Sequence, residues 1–188
     1  MPESYLSNAG GQSSVSKQNP RWTREKHSGL CKVWSMVSEL TLRSARADEA
    51  EVLTELVMRS KAHWGYSDEF MERCRAELAI HAEQMAPSRM TVAEVEGRAV
   101  AVATLEGEPP EAELGSLFVD PDMIGKGVGR RLLQHMVEMA RGIGARTMVL
   151  DADPNAEPFY EAMGFARAGV VPSGSIPGRT LNRYALDL

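Results

Sequence analysis

The chain has 188 residues and a net charge of −5, a size that favours one domain with room for an appendage. No apolar run approaches the ~20 residues a membrane span needs, and the acidic balance, with pI near 5.5, argues against a general affinity for nucleic acid. The cysteines Cys31 and Cys74 and the histidines His27, His63, His81 and His135 show no metal-ligand spacing, so a reduced, cytoplasmic protein without a metal is expected.

Residues 1–38 read as a disordered N-terminal extension. The stretch "MPESYLSNAGGQSSVSKQNPRWTREKHSG" is rich in Ser, Asn, Gly and Gln and has no periodicity, so it has too little apolar surface to order itself. It also lacks the apolar core of a secretory signal. Periodic sequence begins just after Met36, which is the expected functional start.

A strand is predicted at about 40–46, then a helix with Asp48 as N-cap, Glu51 three residues on, and Leu53, Leu56 and Val57 as its apolar stripe. A break at "HWGYSD" precedes a second helix at about 68–85. Two strands follow in "MTVAEVEGRAVAVATLEG", joined at Glu96-Gly97, a hairpin turn signal. "EAELGSLFVD" is the next strand, ended by Pro121. The helix after it buries Val128, Leu132, Leu133, Met136, Val137 and Ala140 and stops at Gly142 and Gly144. "RTMVLDA" reads as a buried central strand, and "PNAEPFYEAMGF" as a short helix with Asn155 its N-cap and Gly164 its C′ residue. Strands at about 165–171 and 180–187 flank the loop "PSGSIPGRT". The order predicts one α/β domain over 39–188 around a mixed sheet.

Three glycines on alternate positions, Gly125, Gly127 and Gly129, run into the amphipathic helix. One glycine suffices for a tight turn, and each further one costs ~1 kcal/mol of helix propensity. Bare backbone at a helix N-terminus suits a phosphate, which the N–H groups and the helix dipole attract, with Lys126, Arg130 and Arg131 adding charge. A Walker loop is excluded because no Gly-Lys-Ser/Thr follows. A dinucleotide fingerprint is disfavoured because the spacing is G-x-G-x-G and a meander, not a βαβ unit, precedes it.

"LFVDPDMIGKGVGRRLL" followed by "VLDADPNAEPFYEAMGF" resembles the coenzyme A site of the GNAT superfamily of N-acetyltransferases, over about residues 40–188. The resemblance implies a mostly antiparallel sheet splayed between two parallel strands, near 113–120 and 146–151, with helices on both faces. It implies acetyl-CoA as co-substrate, its pantetheine arm lying in the splay. The family pattern Gln/Arg-x-x-Gly-x-Gly/Ala maps onto Ile124, Gly125, Lys126, Gly127, Val128 and Gly129, and Ile124 departs from the usual polar residue. Arg130 extends the phosphate contacts, Phe118 and Val119 match the strand whose backbone pairs with the arm, Asn155 matches a residue that hydrogen-bonds it, and Phe159 packs beside it. Tyr160 matches the acid for the departing thiolate, and Glu113 matches a general base in some relatives.

Each of these residues also has a plainer reading: Asn155 as a cap, Phe159 and Tyr160 as core aromatics, Glu113 as a solvated carboxylate. On the acceptor side, Trp64 and Tyr66 form an aromatic lip or pack the helix corner, and Arg179 holds an acceptor carboxylate or lies in solvent. His63 is a second base candidate. "SKAHWGY" and "SGSIPGR" occur together in uncharacterised relatives without naming a substrate. The expected activity is direct acetyl transfer to the primary amine of a small metabolite. The alternatives are a protein N-terminus or lysine as acceptor, or a non-catalytic acyl-CoA-binding module. Neither nucleic acid nor membrane is an expected partner, and a homodimer is compatible with the sequence.

Overall fold

Glu96 and Gly97 both take positive φ, 50° and 77°, the two-residue turn whose twist suits a hairpin. It joins β2 (Met90–Val95) to β3 (Arg98–Glu108), and β1 (Thr41–Ser44) pairs antiparallel with β2 on the outer side. The computed structural model describes residues 40–85, 89–174 and 176–188, so the expectations for residues 1–38, Cys31 and Met36 among them, lie outside the described residues. The remaining strands are β4 (Glu111–Val119), β5 (Thr147–Ala152), β6 (Ala166–Pro172) and β7 (Thr180–Asp187), and the sheet order is β1-β2-β3-β4-β5-β7-β6.

Among the described strands only β4 and β5 run parallel, and they stay paired for just three positions, Glu111↔Thr147 to Glu113↔Val149. The cause lies one residue further on. Against β3, Ser116 faces Thr104 but Leu114 faces Leu105, so Gly115 is an extra, bulged residue. A bulge bends and twists its strand, and β4 leaves β5 here. Glycine fits here because a Cβ at residue 115 would displace the Glu106 carboxylate and come within 2.9 Å of Thr104 Oγ1.

Helices cover both faces. On one, α1 (Ala50–Ala62) packs Leu53, Leu56 and Val57 onto Val92 and Val102. On the other, α3 (Val128–Gly142) buries Val128, Leu132, Leu133, Met136 and Ala140 against Ala93, Ala101, Ala103 and Leu114, with α4 (Glu157–Ala162) alongside through Tyr160. Val137 of the predicted stripe is only partly buried. The small side chains of Ala101 and Ala103 on β3 let the large residues of α3 pack closely against the sheet.

Three helix ends differ from expectation. Asp48 does not cap α1: a 3-10 turn at Ala47–Glu49 precedes the helix, and buried Glu49 does the polar work, accepting from Arg46 N and from the Arg43 guanidinium. The second helix, α2 (Asp68–Leu78), is capped by Ser67 Oγ accepting from Phe70 N. It ends seven residues early because Ala79 turns extended and Ile80 N–H donates to Thr54 Oγ1 on α1. Ala156, not Asn155, is the N-cap of α4.

Two glycine substitutions separate the roles of these backbone positions. Gly115→Val forces the bulge open and should lower unfolding free energy by ~1–3 kcal/mol, the usual cost of overpacking. Gly142→Ala, at the last turn of α3 with open space around its Cβ, should raise it by ~0.4–1 kcal/mol. Urea denaturation checks both, and a neutral Gly115→Val would remove the bulge from the explanation of the splay.

Candidate active site

Alternation along β4 decides which amides face the splay. Asp120 N–H donates to Val100 O on β3, so the backbone of Phe118, two residues back, also faces β3, where it pairs with Val102. The cleft edge therefore belongs to Leu117 and Val119. This corrects the pairing expected of Phe118, whose backbone is taken up by β3 although the residue lines the cavity. Val119 N–H is itself held by Ser60 Oγ of α1 at 3.3 Å, which leaves its carbonyl on the open edge.

The glycine loop begins where β4 ends. Pro121–Met123 forms a 3-10 turn, and Gly125 and Gly127 follow with φ of 76° and 84°, conformations that L side chains rarely adopt. Gly127 is the N-cap of α3, its carbonyl accepting from Arg131 N. The N–H groups of Gly125, Gly127, Val128, Gly129 and Arg130 make no hydrogen bond among the described residues. Nothing lies within 4 Å of a Cβ built on Gly125 or Gly127, so the loop is an open cradle of amides, suited to a diphosphate. Gly129 plays a different part. Its Cβ would meet Val119, Phe159 and Leu117 side chains at 3.4 to 3.9 Å, so it brings α3 close to β4 and α4. Val128 buries its side chain in the core while Lys126 and Arg130 stay outside it, and Ile124 is exposed.

The loop is anchored from below. Asp120, buried at the end of β4, accepts from Arg59 at 2.8 Å and Arg98 at 3.4 Å, and Arg98 also pairs with Asp122 at 2.7 Å. Burial, the largest single influence, raises the Asp120 pKa, but the Arg59 hydrogen bond and charge, the Asp122 hydrogen bond and the Arg98 charge together outweigh it, and the carboxyl is held below its usual range.

A cavity of about 640 Å³ opens from the splay. Leu117, Phe118 and Leu150 come from the parted strands, Trp64 and Leu78 from the α1–α2 region, and Tyr160 from α4. Tyr160 is 7% exposed and packs edge-on against Phe159 and Phe165. Burial, helped by the Asp153 charge, raises its phenol well above the ordinary value, so it stays protonated at any working pH. Trp64 is 43% exposed and meets His63 edge-on, which favours the lip over corner packing.

Asp153, which the sequence did not single out, gathers three expected site residues. Its carboxylate accepts from Lys61 Nζ at 2.6 Å, from Tyr66 Oη at 2.8 Å and from Asn155 Nδ2 at 3.1 Å, with Arg179 Nη2 at 3.4 Å. Tyr66 stacks on Phe70 at 4.3 Å, and Lys61 and Arg179 lie over these rings at 5.0 to 5.9 Å. Burial works to raise the Asp153 pKa, but the Lys61 and Tyr66 hydrogen bonds bring it to about 2. A carboxyl so depressed stabilises the fold above the ordinary unfolded value and loses that contribution only as pH falls towards 2. Tyr66 moves the other way, raised by burial and by Asp153.

Glu113 stands apart from the cavity lining. It is the last β4 residue paired with β5, and its side chain lies 3.8 Å from Arg183, which binds Asp151 with two hydrogen bonds. Burial raises its pKa, opposed by Arg183 and aided by Asp151, Glu106 and Glu111. The cavity carboxylate on that side is its cross-strand partner Glu106. Among the described residues no group of ligands for a metal ion occurs, and no helix is long and apolar enough to cross a membrane.

Comparison with known proteins places this architecture. The Acetyltransferase (GNAT) family profile matches residues 51–165. The peptidyl-lysine N-acetyltransferase YjaB of Salmonella typhimurium is 30% identical over 133 residues, covering 69% of this chain and 86% of that protein. A GCN5-related N-acetyltransferase of Rhodopseudomonas palustris superposes with a TM-score of 0.69 at 25% identity, over 79% of this chain and 95% of its own. The PaiA N-acetyltransferase of Thermoplasma acidophilum, solved with coenzyme A, gives a TM-score of 0.67 at 19% identity over 79% of this chain and 99% of its own. The chain with its splayed sheet and glycine cradle belongs to the acetyltransferase (GNAT) family and is an N-acetyltransferase.

Proposed function

We propose that the protein acetylates the primary amine of a small metabolite by direct transfer from acetyl-CoA. One observation carries this reading: the buried phenol of Tyr160 lines a cavity shared by the parted strands and the α1–α2 wall, so donor and acceptor can meet in one space beside a proton source. A cavity of about 640 Å³ with polar groups on its wall is of a size that suits a small amine.

Acetyl-CoA supplies the acetyl group as a thioester. The amides of Gly125, Gly127, Val128, Gly129 and Arg130, with the Lys126 and Arg130 charges, hold its diphosphate. The free edge of Leu117 and Val119 offers hydrogen bonds to its arm, with Asn155 and Phe159 at the far side. Tyr160 gives its proton to the leaving sulfur. The acceptor must lose a proton before attack, because an amine with pKa ~10 is mostly charged at neutral pH. Glu106 on the cavity wall and Glu113 behind it form the exit for that proton through water. Trp64 and Tyr66 shape the acceptor wall, and Arg179 reaches it from the β6–β7 loop.

Gly127→Val places a branched side chain where φ is 84° and where phosphate would approach. CoA affinity should fall at least tenfold, ~1.4 kcal/mol, as read by calorimetry, with circular dichroism showing the fold retained. Unchanged affinity would return the loop to a plain turn. Tyr160→Phe keeps the ring packing on Phe159 and Phe165 and removes only the proton. Turnover should drop ~10²–10⁴-fold while acetyl-CoA affinity stays within about twofold, since the ring contacts are conserved. An intact rate would give the acid role to another group.

A further inference from the structure

We propose that Lys61 and Arg179 form an anion subsite in the acceptor cavity, so that the amine acetylated carries a carboxylate or phosphate on the same molecule. The inference rests on the reading of this cavity as the acceptor site. It starts from charge. Three groups at one wall, Lys61, Arg179 and Asp153, have side chains only 14%, 20% and 19% exposed, and all three line the cavity. Two cations share a single carboxylate there. The other strongly paired charges of the lining cancel locally: Arg89 is bound to Glu108 and to the Gly107 carbonyl, and Asp151 to Arg183. In direct contact, Lys61 and Arg179 thus present one cation more than Asp153 can neutralise, and a part-buried charge without a full contact partner is costly unless a ligand supplies one.

Donor capacity points the same way. An ammonium has three N–H donors and a guanidinium five. Lys61 spends one of them, on Asp153. Arg179 engages only Nη2, in long contacts of 3.3 Å to Tyr66 Oη and 3.4 Å to Asp153. Its Nε and Nη1 bond no acceptor among the described residues. Tyr66 and Phe70 form the platform that keeps both cations in place, so two flexible side chains are already ordered before an anion arrives, which lowers the entropy cost of binding it. Glu77, whose carboxylate lies against Gly174 of the Arg179 loop, and Glu106 further along the lining make no ion pair among the described residues, and they suit the ammonium end of the same molecule. Lys61 and Tyr66 come from "SKAHWGY" and Arg179 from "SGSIPGR", so the two segments meet on one carboxylate.

The test assays thiol release at saturating acetyl-CoA with matched amines: the common α-amino acids against their amides, and phosphate-bearing amines against the corresponding alcohols. The wild-type chain should favour the anionic member of a pair by at least tenfold in kcat/KM, and the responding set, carboxylate or phosphate, identifies the anion. Arg179→Gln and Lys61→Met should each cut that ratio below threefold through KM, with acetyl-CoA affinity within twofold of wild type. Arg179→Lys keeps the charge balance on Asp153 and so guards against misfolding, and it should retain an intermediate ratio because only the planar fork is lost. Preference for neutral amines or for a lysine peptide overturns the subsite, as does a ratio that no variant moves. Acetylation of no anionic amine by a chain that binds CoA overturns it and leaves the acyl-CoA reading standing. A wild-type chain that binds no CoA overturns both.

Discussion

The parting of β4 from β5 is the constraint on which the rest depends. Two parallel neighbours in a continuous sheet satisfy each other's backbone along their whole length, and here they do so for three positions only. Past Glu113, strand edges that normally pair are left facing a cavity. A single extra residue, Gly115, sets the point of departure, and a side chain there would have to push the close Glu106 and Thr104 side chains aside. The cleft is thus built into the ladder by register, not carved by a loop.

The same logic governs the glycine loop. Most proteins satisfy the first amides of a helix with a capping side chain, yet α3 has a glycine at its N-cap and no side-chain cap. The open donors persist because the loop is held elsewhere: Asp120 fastens the strand end to Arg59 of α1 and Arg98 of β3, and the α3 stripe fixes the helix against the sheet. Stability comes from the flanks, so the amides remain free for a ligand.

Most of the fold was legible because period and punctuation agree. The stripe from Val128 to Ala140, the Glu96-Gly97 turn and the stop at Gly142 are local signals, and the structure obeys them. The failures have a common source in tertiary contact. α2 ends at Leu78 because Thr54 on another helix captures Ile80 N–H, and Glu49 replaces Asp48 because Arg43 of β1 reaches it. In the site, the glycine cradle and Tyr160 were readable as motifs. Asp153 was not, since its partners stand 92, 87 and 26 residues away in Lys61, Tyr66 and Arg179. Nor was the facing of Phe118, which a bulge and a ladder decide together.

Asp153 and Tyr160 also show how one carboxylate serves two demands. Its charge seats two cations on the acceptor side, and across the cavity it acts with burial to keep the Tyr160 phenol protonated. A phenolate beside it would meet repulsion in a poorly solvated place, so the protonated form is favoured without any hydrogen bond from Tyr160 among the described residues. Under the proposed reading, a phenol with no competing partner is free to turn its proton towards a sulfur arriving in the splay. One part-buried carboxylate thus holds Lys61 and Arg179 in place and adds to the burial that keeps the Tyr160 phenol protonated, so the charges along this side of the cavity depend on one another.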